Sequence, residues 1–483
     1  MKKRFIALLL TLVLLTGSIP ASLAASTEEP ADTFFTIQKA ANAEREKLAK
    51  NASNLDISAY AKKDNTTAIL STAEIKALTS QNYDKGRTFT RAQALSDVDV
   101  LFRLYKSAYG PYYYFGEKNF EAAQAAIEKE LNKVASIDKN EYAQLIAKNL
   151  NFMQDLHSNL LIYYPAELGG YTKAYYYAKD QSFSKDKTGY FKMIKGAKWY
   201  ISSIDSKDAS SYIRPTIQAD GSIGYGLVQL ATSANEAAQQ KELLLKNAQG
   251  KTQKINLSWL KGANYAEESL HEPHYKYSTQ SGVPVIEIRA MKGDEKGIQS
   301  FIQSGKQVKG KKTIILDFRS NGGGRSNVAA DWFKNFTGKP AVITEASITR
   351  ASKVLQAQGE FKQKSAGSWV SRNSKTSYVK NKTNIIALID NNIGSAGESM
   401  IMYLRTLENV VFVGSNSSGC MLGMNKREFS LPETGLWVAF PIGLNMQEEA
   451  INRDGIGFEP DVWVNPKDAM ALALKMVEYY QLA

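Results

Sequence analysis

The chain has 483 residues, 43% of them hydrophobic, which suffices for two or three domains with cores of their own. Its formal charge of +12 is spread along the sequence with no Lys/Arg block and no nucleic-acid motif, which argues against a nucleic-acid partner and is compatible with loose association with an anionic cell envelope. With one cysteine, Cys420, no intramolecular disulfide can form, so stability has to come from packing.

Met1–Ala24 reads as an export signal. Lys2, Lys3 and Arg4 precede the apolar run Phe5–Leu15, and Ser22-Leu23-Ala24 ends it with small residues, so cleavage is expected after Ala24. The run is too short to span a bilayer, and no cysteine stands at the cleavage point for a lipid anchor. A secreted, bacterial-type protein carrying +9 after loss of the three signal cations is expected.

Residues 25–160 read as a helical domain. Helical patterns are expected in Glu28–Asn51, Thr72–Leu78, Arg91–Tyr109, Phe120–Val134 and Asn140–Met153. The aromatic turn Tyr109–Tyr114 between them is read as packing against a helix. Residues 161–265 change texture: Tyr171–Ala178, Tyr190–Met193, Trp199–Ile204, Gly224–Gln229 and Lys254–Trp259 read as strands, with one helix over Asn235–Asn247. This fits a β-rich, PDZ-like segment or a generic β-rich insertion.

Residues 266–483 alternate strands and helices. Val283–Ile288, Thr313–Phe318, Ala341–Ile343, Ile385–Ile389, Val410–Val413 and Leu436–Phe440 are expected strands. Asp294–Ser304, Asp331–Phe336, a segment from Glu398 and Pro466–Tyr480 are expected helices. The fold class is therefore α/β, with a mixed, largely parallel sheet and flanking helices.

Four stretches could carry chemistry. Leu316–Gly324 ends a buried strand in three glycines, where backbone N–H groups can approach a substrate closely; no Gly-Lys-Ser/Thr follows, which rules out a P-loop. Asn384–Arg405 places Ser395 on a strand–turn–helix elbow, where it either caps the helix or presents a nucleophile beside helix-start N–H groups. Gln154–Ser158 offers His157 at a helix–strand junction. Asn452–Val462 sets Asp454 in a Gly-flanked turn, where a carboxylate can orient a histidine or shape the turn. His271 and His274 form HEPH, whose Pro spoils helical metal-ligand geometry, and neither a metal nor another cofactor is implied.

Together and in this order these stretches resemble the carboxyl-terminal processing (tail-specific) serine peptidase family, which includes the tricorn core and the repeats of interphotoreceptor retinoid-binding protein. The matching blocks are Asp-x-Arg-x-Asn-Gly-Gly-Gly at Asp317–Gly324, Ser-Ala-x-Glu at Ser395–Glu398 and Gly-x-x-Pro-Asp at Gly457–Asp461. Asp155–Ser158 resembles the Asp-Gly-His-Thr of the family's histidine-using branch. In the branch with a Ser–Lys dyad, the lysine would fall at Cys420, and Lys426 stands six residues beyond. The resemblance thus implies the tricorn-like branch on a ClpP/crotonase-like core, with Ser395 as nucleophile, His157 as general base and Asp454 as its orienter. It implies Ala396 with Gly322 or Gly323 as the oxyanion hole, and a peptide or protein substrate cut through an acyl-enzyme. Two departures stand out: Leu156 occupies a place where the tricorn-like pattern can add a hydroxyl, and the PDZ-like segment lacks a clear glycine-rich carboxylate-binding loop. The alternative from another class is a non-catalytic protein binding peptides or apolar ligands on the same fold, as in the retinoid-binding relatives.

Overall fold

The computed structural model describes residues 32–62, 69–265 and 273–483; the export signal at Met1–Ala24 and His271 lie outside them. No helix among the described residues is long and apolar enough to cross a membrane.

Runs of Ile, Val and Leu without alternating polar residues favour strands buried on both faces, and three such runs build the centre. Thr313–Asp317, Asn384–Ile389 and Val410–Gly414 are parallel neighbours. Val283–Ile288 extends this sheet in parallel on one side and Val462–Trp463 on the other, while Tyr275–Gln280 closes the first edge antiparallel. Helices Glu295–Val308, Ser326–Thr337 and Ala396–Arg405 cover one face; the C-terminal helix Ala469–Tyr479 and Phe34 of helix Phe34–Asn51 cover the other. The expected α/β core is present. Its register pairs Asp317 with Leu388 and Ile389 with Gly414, so the turns after these strands emerge side by side.

A second, antiparallel sheet runs Trp369–Ser374, Glu345–Arg350, Trp437–Gln447, Gly423–Ser430, and the short strand Asn159–Leu160 pairs with Trp437–Gln447. Four of these strands have no counterpart among the expected ones, and no strand forms at Ala341–Ile343, where one is expected. Gly423–Ser430 contains Asn425, Lys426, Arg427 and Glu428, and only pairing to a long buried neighbour makes it a strand. The helices Arg91–Ala108, Glu117–Leu131 and Lys139–Asn149 bury their apolar faces against this sheet in one core with Phe429, Val438, Phe440 and Ile442. The aromatic turn packs as expected, with Tyr112 stacked on Phe120 at 4.5 Å and Tyr109 edge-on to Phe440 at 5.7 Å.

A third, eight-stranded sheet includes Ala174–Asp186, Ala197–Ile204 and Ile223–Ala231. The helix expected over Asn235–Asn247 is confined to Ala234–Ala237, and Glu242–Asn247 is a strand. Leu243 and Leu245 are buried on one side while Leu244 is not, so the period of two decided the outcome.

Candidate active site

Strand Asn384–Ile389 ends at Asp390, whose Oδ1 accepts the Ser320 N–H at 2.8 Å and the Asn392 N–H at 3.2 Å. This buried carboxyl ties the turn after one central strand to the turn after its neighbour. Ser395 then takes φ 51° and ψ −120°, in the left-handed half of conformational space that non-glycine residues avoid. It stands at the start of helix Ala396–Arg405, yet its side chain makes no capping hydrogen bond. The hydroxyl turns outward instead, with Oγ 3.3 Å from His157 Nε2. Of the two readings of this serine, the capping role is not the one adopted. Such a backbone costs on the order of 1–3 kcal/mol and persists because packing over-determines it.

The glycine loop explains that packing. Gly323 has φ 102°, and a Cβ built there would stand 2.8 Å from Gly394 O, 2.9 Å from Ala396 N and 3.0 Å from Ser395 Cβ. A bare backbone is therefore required to touch the elbow. Asn321 joins the two turns: its carbonyl accepts the Gly394 N–H at 3.2 Å, and its side chain bonds both the Gly323 N–H and the Ile288 carbonyl at 3.0 Å. The Gly323 N–H is thus engaged within the loop, while Gly322 is exposed beside it. Asp317, fully buried, is held ionised well below the ordinary carboxylate range because, against the cost of burial, it pairs with Arg289 at 2.8 Å and Arg319 at 2.6 Å. The arginine of the Asp-x-Arg motif fixes the turn, and its Nη1 also donates to the Pro466 carbonyl.

Glu398, one helical turn beyond Ser395, buries its carboxylate under the loop Ser417–Cys420. It accepts the Ser417 hydroxyl at 2.6 Å and the N–H groups of Gly419 at 2.8 Å and Cys420 at 2.5 Å. Burial pushes its pKa up to about 7 against these bonds.

His157 arrives from the far side, after helix Lys139–Asn149. Asp155 sets the segment: Oδ1 accepts the His157 N–H at 2.9 Å, and Oδ2 accepts the Tyr109 hydroxyl at 2.8 Å and the Ser158 hydroxyl at 2.6 Å. Burial, helped by the charge of Lys426 and opposed by Asp155, holds the His157 pKa below the usual 6.5. A neutral imidazole facing a hydroxyl is the state a general base needs.

Asp454 lies beside it, with carboxylate and imidazole atoms of Asp155, His157 and Asp454 all within 4.8 Å of one another. Its bonds, however, go to the main chain: Oδ1 accepts the N–H groups of Met421 and Leu422 at 2.8 Å, and Oδ2 that of Leu156 at 3.0 Å. Asp454 thereby clamps the His157 segment to the Cys420 loop. Burial and the charge of Asp155 push its carboxyl well up. The atom against the imidazole is Cys420 Sγ, 3.3 Å from Nδ1 and 3.5 Å from Nε2. These acids and His157 are spaced to approach a cation, but the carboxylate oxygens already serve six main-chain or hydroxyl donors. Lys426, the alternative base, turns its Nζ to Asn159 Oδ1 at 2.7 Å, whereas His157 is the group against Ser395.

The sequence motifs therefore meet at one place, with four participants to which the sequence assigns no role there. Tyr109, read as packing alone, also bonds Asp155; Cys420 touches the imidazole; Glu398 anchors the loop; Tyr265 donates its N–H to Asp390 Oδ2 at 3.2 Å. The Ser-Ala-x-Glu spacing alone could have signalled Glu398, since residues three apart at a helix start lie on the same face.

Residues 282–464 match the family model described as peptidase family S41. No curated protein matches the chain. Among solved structures it is similar to mature CPAF, at 12% identity over 81% of this chain and 96% of that one, with a TM-score of 0.41. The photosystem II D1 C-terminal processing protease is similar at 13% identity over 78% and 94% of the two chains, TM-score 0.35. The tricorn protease is similar at 14% identity over 81% of this chain and 37% of that one, TM-score 0.37. The matched segment contains Ser395, the glycine loop, Cys420 and Asp454, whereas His157 lies outside it. By that match residues 282–464, the α/β core that carries the serine elbow and the glycine loop, are similar to peptidase family S41.

Proposed function

We propose that this chain is an exported peptidase that hydrolyses peptides, or unfolded segments of proteins, through an acyl-enzyme on Ser395. The observation that carries the reading is the 3.3 Å approach of Ser395 Oγ to His157 Nε2 by a serine that caps nothing. A serine hydroxyl is inert at its own pKa and needs an adjacent base. Ser395 Oγ attacks the peptide carbonyl as its proton passes to His157 Nε2. The tetrahedral oxyanion is met by the Ala396 N–H at the helix start and by a main-chain N–H of Gly322 or Gly323, the latter after release from Asn321. His157 then returns the proton to the leaving amine, and water repeats the cycle on the acyl-enzyme. Asp454 acts through the main chain, holding Leu156 and the Cys420 loop so that the ring stays aimed at Ser395. Export follows from Met1–Ala24, with cleavage after Ala24.

The test is labelling of the purified protein with a fluorophosphonate, comparing wild type with Ser395→Ala, His157→Ala and Lys426→Ala. Labelling lost in the first two and kept in the third supports the His-based hydrolase. A folded wild type that takes no label at any pH sinks it and favours the binding protein instead.

A further inference from the structure

The buried Arg45, Arg319 and Arg289 and the half-buried Arg427 meet carboxylates: Arg45 meets Asp461, Arg319 and Arg289 meet Asp317, and Arg427 meets Glu360. Lys426 is different. It is half-buried on Gly423–Ser430, the edge strand of the antiparallel sheet. Its Nζ donates to Asn159 Oδ1 at 2.7 Å and stands 5.5 Å from the centre of the Trp437 ring. It makes no ion pair among the described residues. An ammonium has three N–H donors, and one is used here. Asp155, whose charge acts on it, already accepts from His157, Ser158 and Tyr109. Burial draws the Lys426 pKa down, against the charges of Asp155 and Glu428.

The position matters as much as the vacancy of charge. Asn159 lies two residues past His157, and the Lys426 charge is felt by the imidazole. His157 must hand its proton to the leaving amine, so the part of a substrate beyond the scissile bond passes on the His157 side. There Gly423–Ser430 is the edge of its sheet, with the Glu428 and Lys426 carbonyls accepting from Gln358 and Arg427, and a cleft of about 530 Å³ beside it is lined by Lys426 and Arg427 together with Glu360, Glu428, Gln81 and Gln358.

We propose that Lys426 is a specificity-determining residue that binds a substrate carboxylate on the leaving-group side, so that chains with Asp or Glu one or two residues after the cut are preferred. The inference rests on the roles of Ser395 and His157 given above. A chain-terminal carboxylate offers the same chemistry, and the test separates the two sources.

The test uses full-length Ser395→Ala protein, which binds without turnover, and pooled peptides with Glu, Gln or Lys fixed at a central position, each with a free or amidated C-terminus. Glu peptides are expected to bind about tenfold tighter than Gln peptides, the size of one charge-assisted contact near the surface. The gain should vanish in Lys426→Met, survive in Lys426→Arg and pass to the Lys peptides in Lys426→Glu. A gain that follows the free C-terminus instead of Glu supports a bound carboxylate but assigns it to the chain end. Equal binding of all pools, or an equal loss for all in Lys426→Met, overturns the proposal. A Glu preference in a protein whose wild type takes no fluorophosphonate would keep the carboxylate site and discard the hydrolase.

Discussion

The Ser395 side of the site and the His157 side are held by different means. Ser395 and Gly323 sit on turns that follow two adjacent parallel strands, Asn384–Ile389 and Thr313–Asp317, and the ladder between those strands sets their separation. Backbone contacts with no Cβ between them do the rest. His157 has no such ladder: two residues, Asn159–Leu160, pair with the long strand Trp437–Gln447, and the segment is otherwise held by side chains. Asp155 and Asp454 hold it by bonds to Tyr109, Ser158 and the main chain of Leu156, Met421 and Leu422, of which the Asp454–Leu156 bond spans 298 residues. A rigidly seated Ser395 therefore faces an imidazole whose aim depends on two buried carboxylates.

The largest effects should come from the two groups in contact. Ser395→Ala and His157→Ala are each expected to lower kcat by about 10⁴- to 10⁶-fold with little change in KM, because residues that act as a unit fail together. Steady-state hydrolysis of a peptide found by library digestion checks this, and His157→Ala retaining even a tenth of activity would remove the base from the scheme. On the rigid side, Gly323→Ala is expected to cut kcat about 10²-fold, since its methyl would press on Gly394 O and Ala396 N at under 3.0 Å and displace the elbow. Full activity in that variant would mean the close approach is not needed.

On the base side, Asp454→Asn leaves at least one of three main-chain N–H groups facing an amide NH₂. A loss of about 1–3 kcal/mol in stability is expected, with a fall in kcat of about tenfold and labelling of Ser395 slowed rather than abolished. If kcat is untouched while stability falls, Asp454 serves the fold alone. Tyr109→Phe removes one hydroxyl from Asp155 and should cost about 1 kcal/mol and a few-fold in kcat; an effect as large as that of Asp454→Asn would make Asp155 the principal clamp.

Glu398 connects the two sides and gives a pH signature. Its carboxyl rises from 4.5 to about 7 on folding, so its contribution is fully present below pH 4.5 and is lost as pH climbs through 7. Wild type should therefore lose on the order of 3 kcal/mol relative to Glu398→Gln between pH 5 and pH 8, read from denaturant midpoints. The slope of that difference is the test, since the amide carries its own constant cost. A flat difference would show that the loop bonds, and not burial, govern this carboxyl.

The sequence by itself determined the local chemistry: buried Ile- and Val-rich strands, the glycines after Asp317, the serine elbow and the order of the motifs. These are short-range properties, because whether a strand is buried on both faces, or whether a turn needs a residue without Cβ, is written in neighbouring side chains. It also reached Ser395, His157 and Asp454, through a family resemblance rather than through spacing. What the tertiary structure decided was what touches what. A hydroxyl that could have capped a helix faces an imidazole; a carboxylate expected to orient that imidazole grips main chain instead; and Cys420 takes the place against the ring. Edge strands such as Gly423–Ser430 belong to the same class, since polar residues become a strand only when a long partner offers its N–H and C=O groups. Such contacts join residues hundreds of positions apart, and no local pattern carries them.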